Sequence, residues 1–325
     1  VVQNAERRRD TTKDHLRLLA RVARMYHEQH MRQPEIAATL NISQPRVSRL
    51  LKEAVERGLV RTVVTLPEGV HTELEEELQR RYGLRDAVVV DVEDFQDDVI
   101  PPLASAAAAY VGVTLTGGDV IGISSWSETL LAMVERMPQK NTQVADRVIQ
   151  LVGGVGSPEA QVHATRLVAR LANLTYAKPV FVPLPGVVAT STIRDALLQD
   201  PSIQDVQAQW RELTVVLVGI GSLEPSPLLL SSGNAVGQAD QEELRALGAV
   251  GDVCLHFFDA QGKLVHSGFD QRVIGIDAQT FRAVERRVGV AGGLRKLSAI
   301  KAALSGGWVN VLVTDLPVAR RLCGD

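Results

Sequence analysis

Cysteine is scarce. Only Cys254 and Cys323 occur in 325 residues, 69 positions apart and outside any CxxC pair. Two free thiols are expected rather than a disulfide framework, which fits a reducing, cytoplasmic setting. Long apolar runs are missing too: Leu103 to Leu115 is Ala-rich and too short to cross a bilayer. The charged N-terminal residues carry no signal-peptide pattern, so neither a membrane partner nor export is expected. The seven histidines form no HExxH or clustered Cys/His set, so no metal is expected. No GxxxxGK[ST] loop exists for nucleotide phosphates, Gly219-Ile220-Gly221 lacks the third glycine of the dinucleotide fingerprint, and no GxSxG elbow is present. These absences leave no cofactor and no catalytic residue to nominate.

What is present fits a protein of two domains. A chain of 325 residues, 45% hydrophobic and 22% charged, can bury sizeable cores. Its net charge of −3 is unevenly spread. Residues 1–66 hold 13 basic and 7 acidic residues, a net of +6, and the remainder holds 22 and 31, a net of −9. A basic arm on an acidic body points to a polyanion as partner of the first part.

That part contains the most informative stretch, Gln33 to Leu51. Ile36, Ala37 and Leu40 give a short helix an apolar face, and Asn41 tolerates the left-handed backbone of a sharp turn. Ser43 is placed as the N-cap of a second helix, with Pro45 in its first turn. Val47, Leu50 and Leu51 face inward at helical spacing, leaving Gln44, Arg46, Ser48, Arg49 and Lys52 outward. An exposed first turn of this composition suits base edges and phosphates in a major groove. The spacing predicts a preceding helix over His15 to His30, with Leu16, Leu19, Ala20, Val22, Ala23 and Tyr26 buried, and Gly58 as the stop of the recognition helix. Val60 to Thr65 reads as a short strand, a wing, and residues 1–12, with Arg7-Arg8-Arg9, as a flexible arm. The DNA-binding residues expected are Gln33, Ser43, Gln44, Arg46, Ser48, Arg49 and Lys52, with Arg61 a further candidate.

Leu66-Pro67-Glu68-Gly69 marks a boundary, and His71 to Arg81 a charged helix. The domains expected are 1–66 for DNA binding, 67–84 as a linker or oligomerisation helix that could equally pack on the larger domain, and 85–325 as that domain. From Ala87 onward, short apolar runs alternate with helical stretches. Strands are expected at 87–90, 120–123, 148–152, 180–182, 215–218, 288–291 and 309–313, with a hairpin of 255–259 and 265–266 about Gln261-Gly262. Helices are expected over 102–115, 128–137, 160–174 and 295–304, and a short one at the end. Wholly apolar strands alternating with helices imply an α/β domain with a parallel sheet covered on both faces.

In such sheets ligands sit at the carboxyl ends of the strands. Ser124-Ser125-Trp126-Ser127-Glu128-Thr129 comes after one strand and opens a helix, offering four hydroxyls and several backbone N–H groups. Gly153-Gly154-Val155-Gly156-Ser157 and Gly219-Ile220-Gly221-Ser222 occupy equivalent places, and Gly292-Gly293 precedes Lys296. Together they favour a small polar ligand such as a sugar or sugar phosphate.

The chain resembles the SorC family of bacterial sugar-responsive transcriptional regulators over nearly its whole length. The resemblance rests on the helix-turn-helix from Met25 to Val60, on Gly248-Ala249-Val250-Gly251-Asp252 leading to Phe257-Phe258-Asp259, on Gly292-Gly293 with Lys296 and Ala299-Ile300, and on Asn310 to Asp315. It implies a Rossmann-like effector domain related to sugar-phosphate isomerases, a DNA-bound homo-oligomer (typically a tetramer), and control of operator DNA binding by a carbohydrate or its phosphate. Asp252 and Lys296 are the effector-site positions it implies first. Many members read Gly-x-Ser-Trp-Gly-x-Thr where this chain reads Gly122-Ile123-Ser124-Ser125-Trp126-Ser127-Glu128-Thr129. A serine is added, another replaces the second glycine, and the Glu128 carboxylate disfavours a phosphate while it can hydrogen-bond the hydroxyls of an unphosphorylated sugar or polyol. The alternative left open is a sugar-phosphate isomerase-type enzyme fused to a DNA-binding domain, with Asp252 or Asp259 as its base by analogy.

Overall fold

The computed structural model describes residues 2–60, 69–92, 98–154, 158–224 and 236–324, the side chains of 2–13 and 158–164 excepted. The chain divides into two compact units, 1–66 and 67–325. Among the described residues no helix is long and apolar enough to cross a membrane.

In the first unit, α1 (Val2–His27), α2 (Gln33–Leu40) and α3 (Gln44–Glu56) enclose a small core that includes Leu19, Val22, Met25, Ile36, Val47, Leu50 and Ala54. Two details differ from the sequence expectation. Residues 2–12 are not an arm: α1 begins at Val2, and the stretch is free of glycine and proline and includes the strong helix formers Gln3, Ala5, Glu6 and Arg7-Arg8-Arg9. Its inward stripe takes Met25, while Leu16, Ala20 and Tyr26 are exposed. Asn41 turns the chain with φ 52° and ψ 46°, as its tolerance of that region predicts. His15 donates to both carboxylate oxygens of Glu53, at 2.9 and 3.0 Å, and so ties α1 to α3. This hydrogen bond holds the Glu53 carboxyl below its ordinary range. α3 ends at Glu56, and Gly58 follows its C-cap Arg57 with a φ of +70° that suits glycine. The wing strand, most of it at 61–65, and Arg61 lie outside the described residues.

The second unit opens with α4 (Thr72–Tyr82) and β1 (Asp86–Val90), then α5 (Ile100–Thr114), β2 (Asp119–Ile123), α6 (Glu128–Arg136), β3 (Ala145–Gln150), α7 (Pro158–Thr175) and β4 (Lys178–Val180). After α8 (Ser191–Leu198) and α9 (Pro201–Trp210) come β5 (Val215–Gly219) and β6 (Gly221–Ser222). The chain continues through α10 (Gln238–Ala246), β7 (Ala249–Val253), β8 (His256–Asp259) and α11 (Ala278–Ala283). It closes with β9 (Arg286–Val290), α12 (Leu297–Ser305), β10 (Val311–Asp315) and α13 (Leu316–Cys323).

Seven strands form one parallel sheet in the order β1-β10-β9-β5-β2-β3-β4. Both faces are buried. On β5, Leu217 joins a core with Leu103, Ile121, Met133 and Leu171, while Val216 and Val218 face a second core containing Phe258, Ile300 and Trp308. This is the doubly covered arrangement that unbroken apolar strands require. α4 packs within this unit: Leu78 is fully buried, Tyr82 donates to the Leu322 carbonyl at 3.1 Å, and Glu75 accepts from the backbone N–H of Val89 on edge strand β1 at 2.9 Å.

β6, β7 and β8 make a separate antiparallel sheet. The expected hairpin about Gly262 is present but short: a bridge between Phe258 and Leu264 is flanked by hydrogen bonds from Asp259 N–H to the Lys263 carbonyl at 2.9 Å and from Val265 N–H to the Phe257 carbonyl at 2.8 Å. The longer ladder of β8 runs instead with β7, whose Gly251 and Asp252 hide it from a reading by β propensity.

Candidate functional site

The first polar surface is the outer face of α3. Gln44, Arg46, Ser48, Arg49 and Lys52 are all exposed, opposite the buried Val47, Leu50, Leu51 and Ala54. The side chains of Gln44, Arg46 and Ser48 make no hydrogen bond or ion pair among the described residues, which leaves their polar groups available. Arg49 leans on the Pro45 carbonyl at 3.4 Å, and Lys52 lies 3.8 Å from Glu56. Ser43 stands at the N-cap with extended backbone, but its hydroxyl makes no capping bond, contrary to expectation. The hydroxyl is exposed at the helix start instead. Gln33 opens α2 half-buried and lies outside this face.

The second surface is a pocket of about 650 Å³ over the carboxyl ends of β10, β9, β5 and β2. Strands β2-β3-β4 step outward on one side and β5-β9-β10 on the other, so the direction in which successive strands are added to the sheet reverses between β2 and β5. Parallel sheets open a crevice at such a reversal. A volume of this size suits a small organic ligand.

Four loops line it. After β2 come Ser124, Trp126, Ser127, Glu128 and Thr129. Ser127 caps α6, its hydroxyl accepting from Leu130 N–H at 3.2 Å, and Trp126 donates to the Gly153 carbonyl at 3.3 Å, which holds its ring as a wall. After β5 come Gly219 to Ser222, and the tip of the β7–β8 hairpin adds Asp252, Cys254 and Leu255. A Cβ at Gly221 would stand 1.9 Å from Asp252 Oδ1, so glycine is what lets the carboxylate lie there. Beyond β9, Gly292 to Lys296 closes the edge, and Gly293 N–H donates to Asp315 Oδ2 at 2.6 Å.

The hairpin tip is strained. Cys254 and Leu255 both adopt positive φ, 52° and 65°, in a two-residue turn that normally takes Asn-Gly. Asp252 Oδ2 steadies it by accepting from Leu255 N–H at 3.0 Å. Burial pushes the Asp252 carboxyl up to about 6, against the pull of that N–H and of Lys296. Lys296 donates to the Ile220 carbonyl at 3.0 Å. Its ammonium is lowered by burial, with Asp252 and Glu128 acting the other way. The Cys254 thiol is also raised by burial.

Of the effector residues expected from sequence, Ser124, Trp126, Ser127, Glu128, Thr129, Asp252 and Lys296 meet at this pocket. Three do not. Ser125 is buried with its hydroxyl unpartnered among the described residues, and Gly153 and Gly154 are buried behind Trp126. Their strand, β3, lies one place away from the crevice, and Gly153 N–H is bonded to the Ile274 carbonyl at 2.9 Å. Val155, Gly156 and Ser157 lie outside the described residues. Asp315, Cys254, Leu255 and Arg295 were missed as lining residues. The position of Asp315 at the end of a strand was the signal for it.

Comparison with known proteins gives the same division. Residues 69–323 match the family model "Putative sugar-binding domain", and residues 10–65 match the MarR family of helix-turn-helix domains. The deoxyribonucleoside regulator of Bacillus subtilis is 33% identical over 307 residues, 93% of this chain and 96% of that one. The sorbitol operon regulator of Klebsiella pneumoniae is 30% identical over 314 residues, 95% of this chain and 98% of that one. The crystal structure of full-length SorC from that organism aligns with a TM-score of 0.72 at 29% identity, over 95% of this chain and 99% of that one. With both units matched and whole regulators aligned almost end to end, the chain belongs to the SorC family of sugar-responsive transcriptional regulators.

Proposed function

We propose that the pocket over β2, β5, β9 and β10 is where a carbohydrate effector, a sugar, polyol or sugar phosphate, binds to control operator recognition by α3. The observation that carries this reading is one polar crevice that gathers Asp252, Lys296, Glu128, Thr129 and the Trp126 ring in a chain that also bears a DNA-binding unit. Asp252 and Lys296 anchor hydroxyl groups. Gln44, Arg46 and Ser48 read base edges, and Arg46, Arg49 and Lys52 contact phosphates and give the affinity its salt dependence. The regulator works as a homo-oligomer, a tetramer as the family resemblance implies, because symmetric copies present paired recognition helices to two half-sites. It acts in the cytoplasm and is not an enzyme.

A second reading has one observation in its favour. A carboxylate raised to about 6 is poised to serve as the base of an aldose–ketose isomerase. We favour ligand binding, since one Asp252 oxygen is committed to the strained turn. Turnover in an aldose–ketose assay of purified protein would reverse that choice.

The test uses DNA that the full chain selects from a random pool. Arg46→Ala is expected to lose sequence preference, and Asp252→Asn to bind the same DNA but no longer answer to carbohydrate. An Asp252→Asn variant with an unchanged carbohydrate response would place the effector elsewhere.

A further inference from the structure

We infer that this pocket selects an uncharged polyhydroxyl compound over its phosphate ester, with Glu128 as the discriminating residue. The inference rests on the pocket being the effector site and names the chemistry it accepts.

A phosphate is normally received by clustered backbone N–H groups at a glycine loop or a helix start, helped by a free cation. Here each loop already carries a carboxylate of the chain. At the start of α6, Glu128 occupies the first position, and the N–H groups of Leu130 and Leu131 are taken by the side chain and carbonyl of Ser127. At the Gly292-Gly293 loop, the Gly293 N–H is held by Asp315. Over Gly221 lies Asp252. The half-buried cation does not compensate: Lys296 donates to the Ile220 carbonyl and feels both Asp252 and Glu128. Arg295, exposed at the rim, is the one lining cation with no partner among the described residues.

A phosphate monoester brings roughly two negative charges at neutral pH. In this pocket it would meet carboxylates in each of its natural cradles. A hydroxyl meets the opposite situation, because a carboxylate accepts its proton in a charge-assisted bond. Asp315 has both oxygens engaged, by Gly293 and by Val318, and Asp252 has one engaged by Leu255. Glu128 accepts no hydrogen bond among the described residues, so both of its oxygens remain for the ligand. That singles it out from the other two.

The experiment is calorimetry on the full chain with erythritol, ribitol, sorbitol, ribose and deoxyribose, each paired with its monophosphate, and with inorganic phosphate alone. For wild type, at least one neutral compound is expected to bind, at least tenfold tighter than its phosphate, with no saturable response to inorganic phosphate. The isosteric Glu128→Gln is expected to weaken the neutral compound and to improve binding of inorganic phosphate or a monophosphate by tenfold or more. Tighter binding of any monophosphate than of its neutral partner by wild type overturns the inference while leaving the pocket as the effector site. Absence of neutral binding together with no gain of phosphate by Glu128→Gln overturns it as well. Binding that survives Asp252→Asn unchanged counts against the pocket itself.

Discussion

The outer face of α3 and the crevice over the sheet are both polar, yet they are built in opposite ways. On α3 the polar groups come from nine consecutive residues, Gln44 to Lys52, and several reach solvent without a partner among the described residues. In the crevice they come from positions as far apart as Ser124 and Asp315, and most are already engaged within the chain. A surface that must meet any stretch of DNA before finding its operator benefits from free cations. A site that must distinguish one small molecule benefits from groups fixed in place before it arrives.

Breaking the first surface should therefore take only a local change. Leu50→Ala removes a buried side chain from a core of few residues and should cost about 2–5 kcal/mol in that unit. DNA binding should then be lost in a mobility-shift assay, while carbohydrate binding by the second unit persists. Arg46→Ala leaves the fold intact. It should remove about 1–3 kcal/mol of discrimination between selected and random DNA, read by competition.

The contrast also decides what the sequence made legible. The helix-turn-helix depends on spacing within some twenty residues, so Asn41, Val47 and Leu50 could be assigned from period and turn chemistry alone. The doubly covered sheet was equally readable, because its strands are continuous apolar runs. α8, α9 and α10 were missed: α8 fully buries none of its side chains and α10 only Leu244, while α9 does carry a readable stripe in Ile203, Val206 and Trp210 that was passed over. In the crevice, the loops after β2, β5 and β9 were reachable from the residues immediately C-terminal to each strand. Gly153 and Gly154 meet the same criterion, yet neither lines the crevice: Val152 just before them does, while the two glycines are buried, a packing outcome that spacing along the chain does not reveal. Asp252 was nominated only by family resemblance. Its turn, with positive φ at Cys254 and Leu255, contains none of the glycine or asparagine that would announce it.

Asp252 gives a sharper prediction, because it sets function against stability. Its carboxyl titrates higher in the folded chain, at about 6, than the ordinary 3.8. The native state therefore binds a proton more readily than the unfolded one between these values, and this group's contribution to stability falls as pH rises through about 6. Asp252→Asn escapes that cost. The variant should melt at or above the wild-type temperature at pH 7.5, and its advantage should shrink as pH falls through about 6. Its affinity for carbohydrate should fall at neutral pH. Wild-type affinity should likewise weaken below pH 6, where Asp252 takes up its proton.

The smallest effect is expected at Lys52, an exposed residue paired at 3.8 Å with Glu56. Lys52→Ala should leave stability within about 0.5 kcal/mol. It should lower the slope of log affinity against log salt by about 1, equally for selected and random DNA. A change in sequence preference instead would make Lys52 a base reader.

The central claim is that the two surfaces are coupled, and coupling must be reciprocal. The direct measurement is the dissociation constant of the bound carbohydrate for the full chain alone and for the same chain saturated with its selected DNA. The two constants should differ by the factor by which that carbohydrate changes DNA affinity, roughly 5–150-fold for typical allosteric proteins. Equal constants would show that the pocket, whatever it binds, does not control α3.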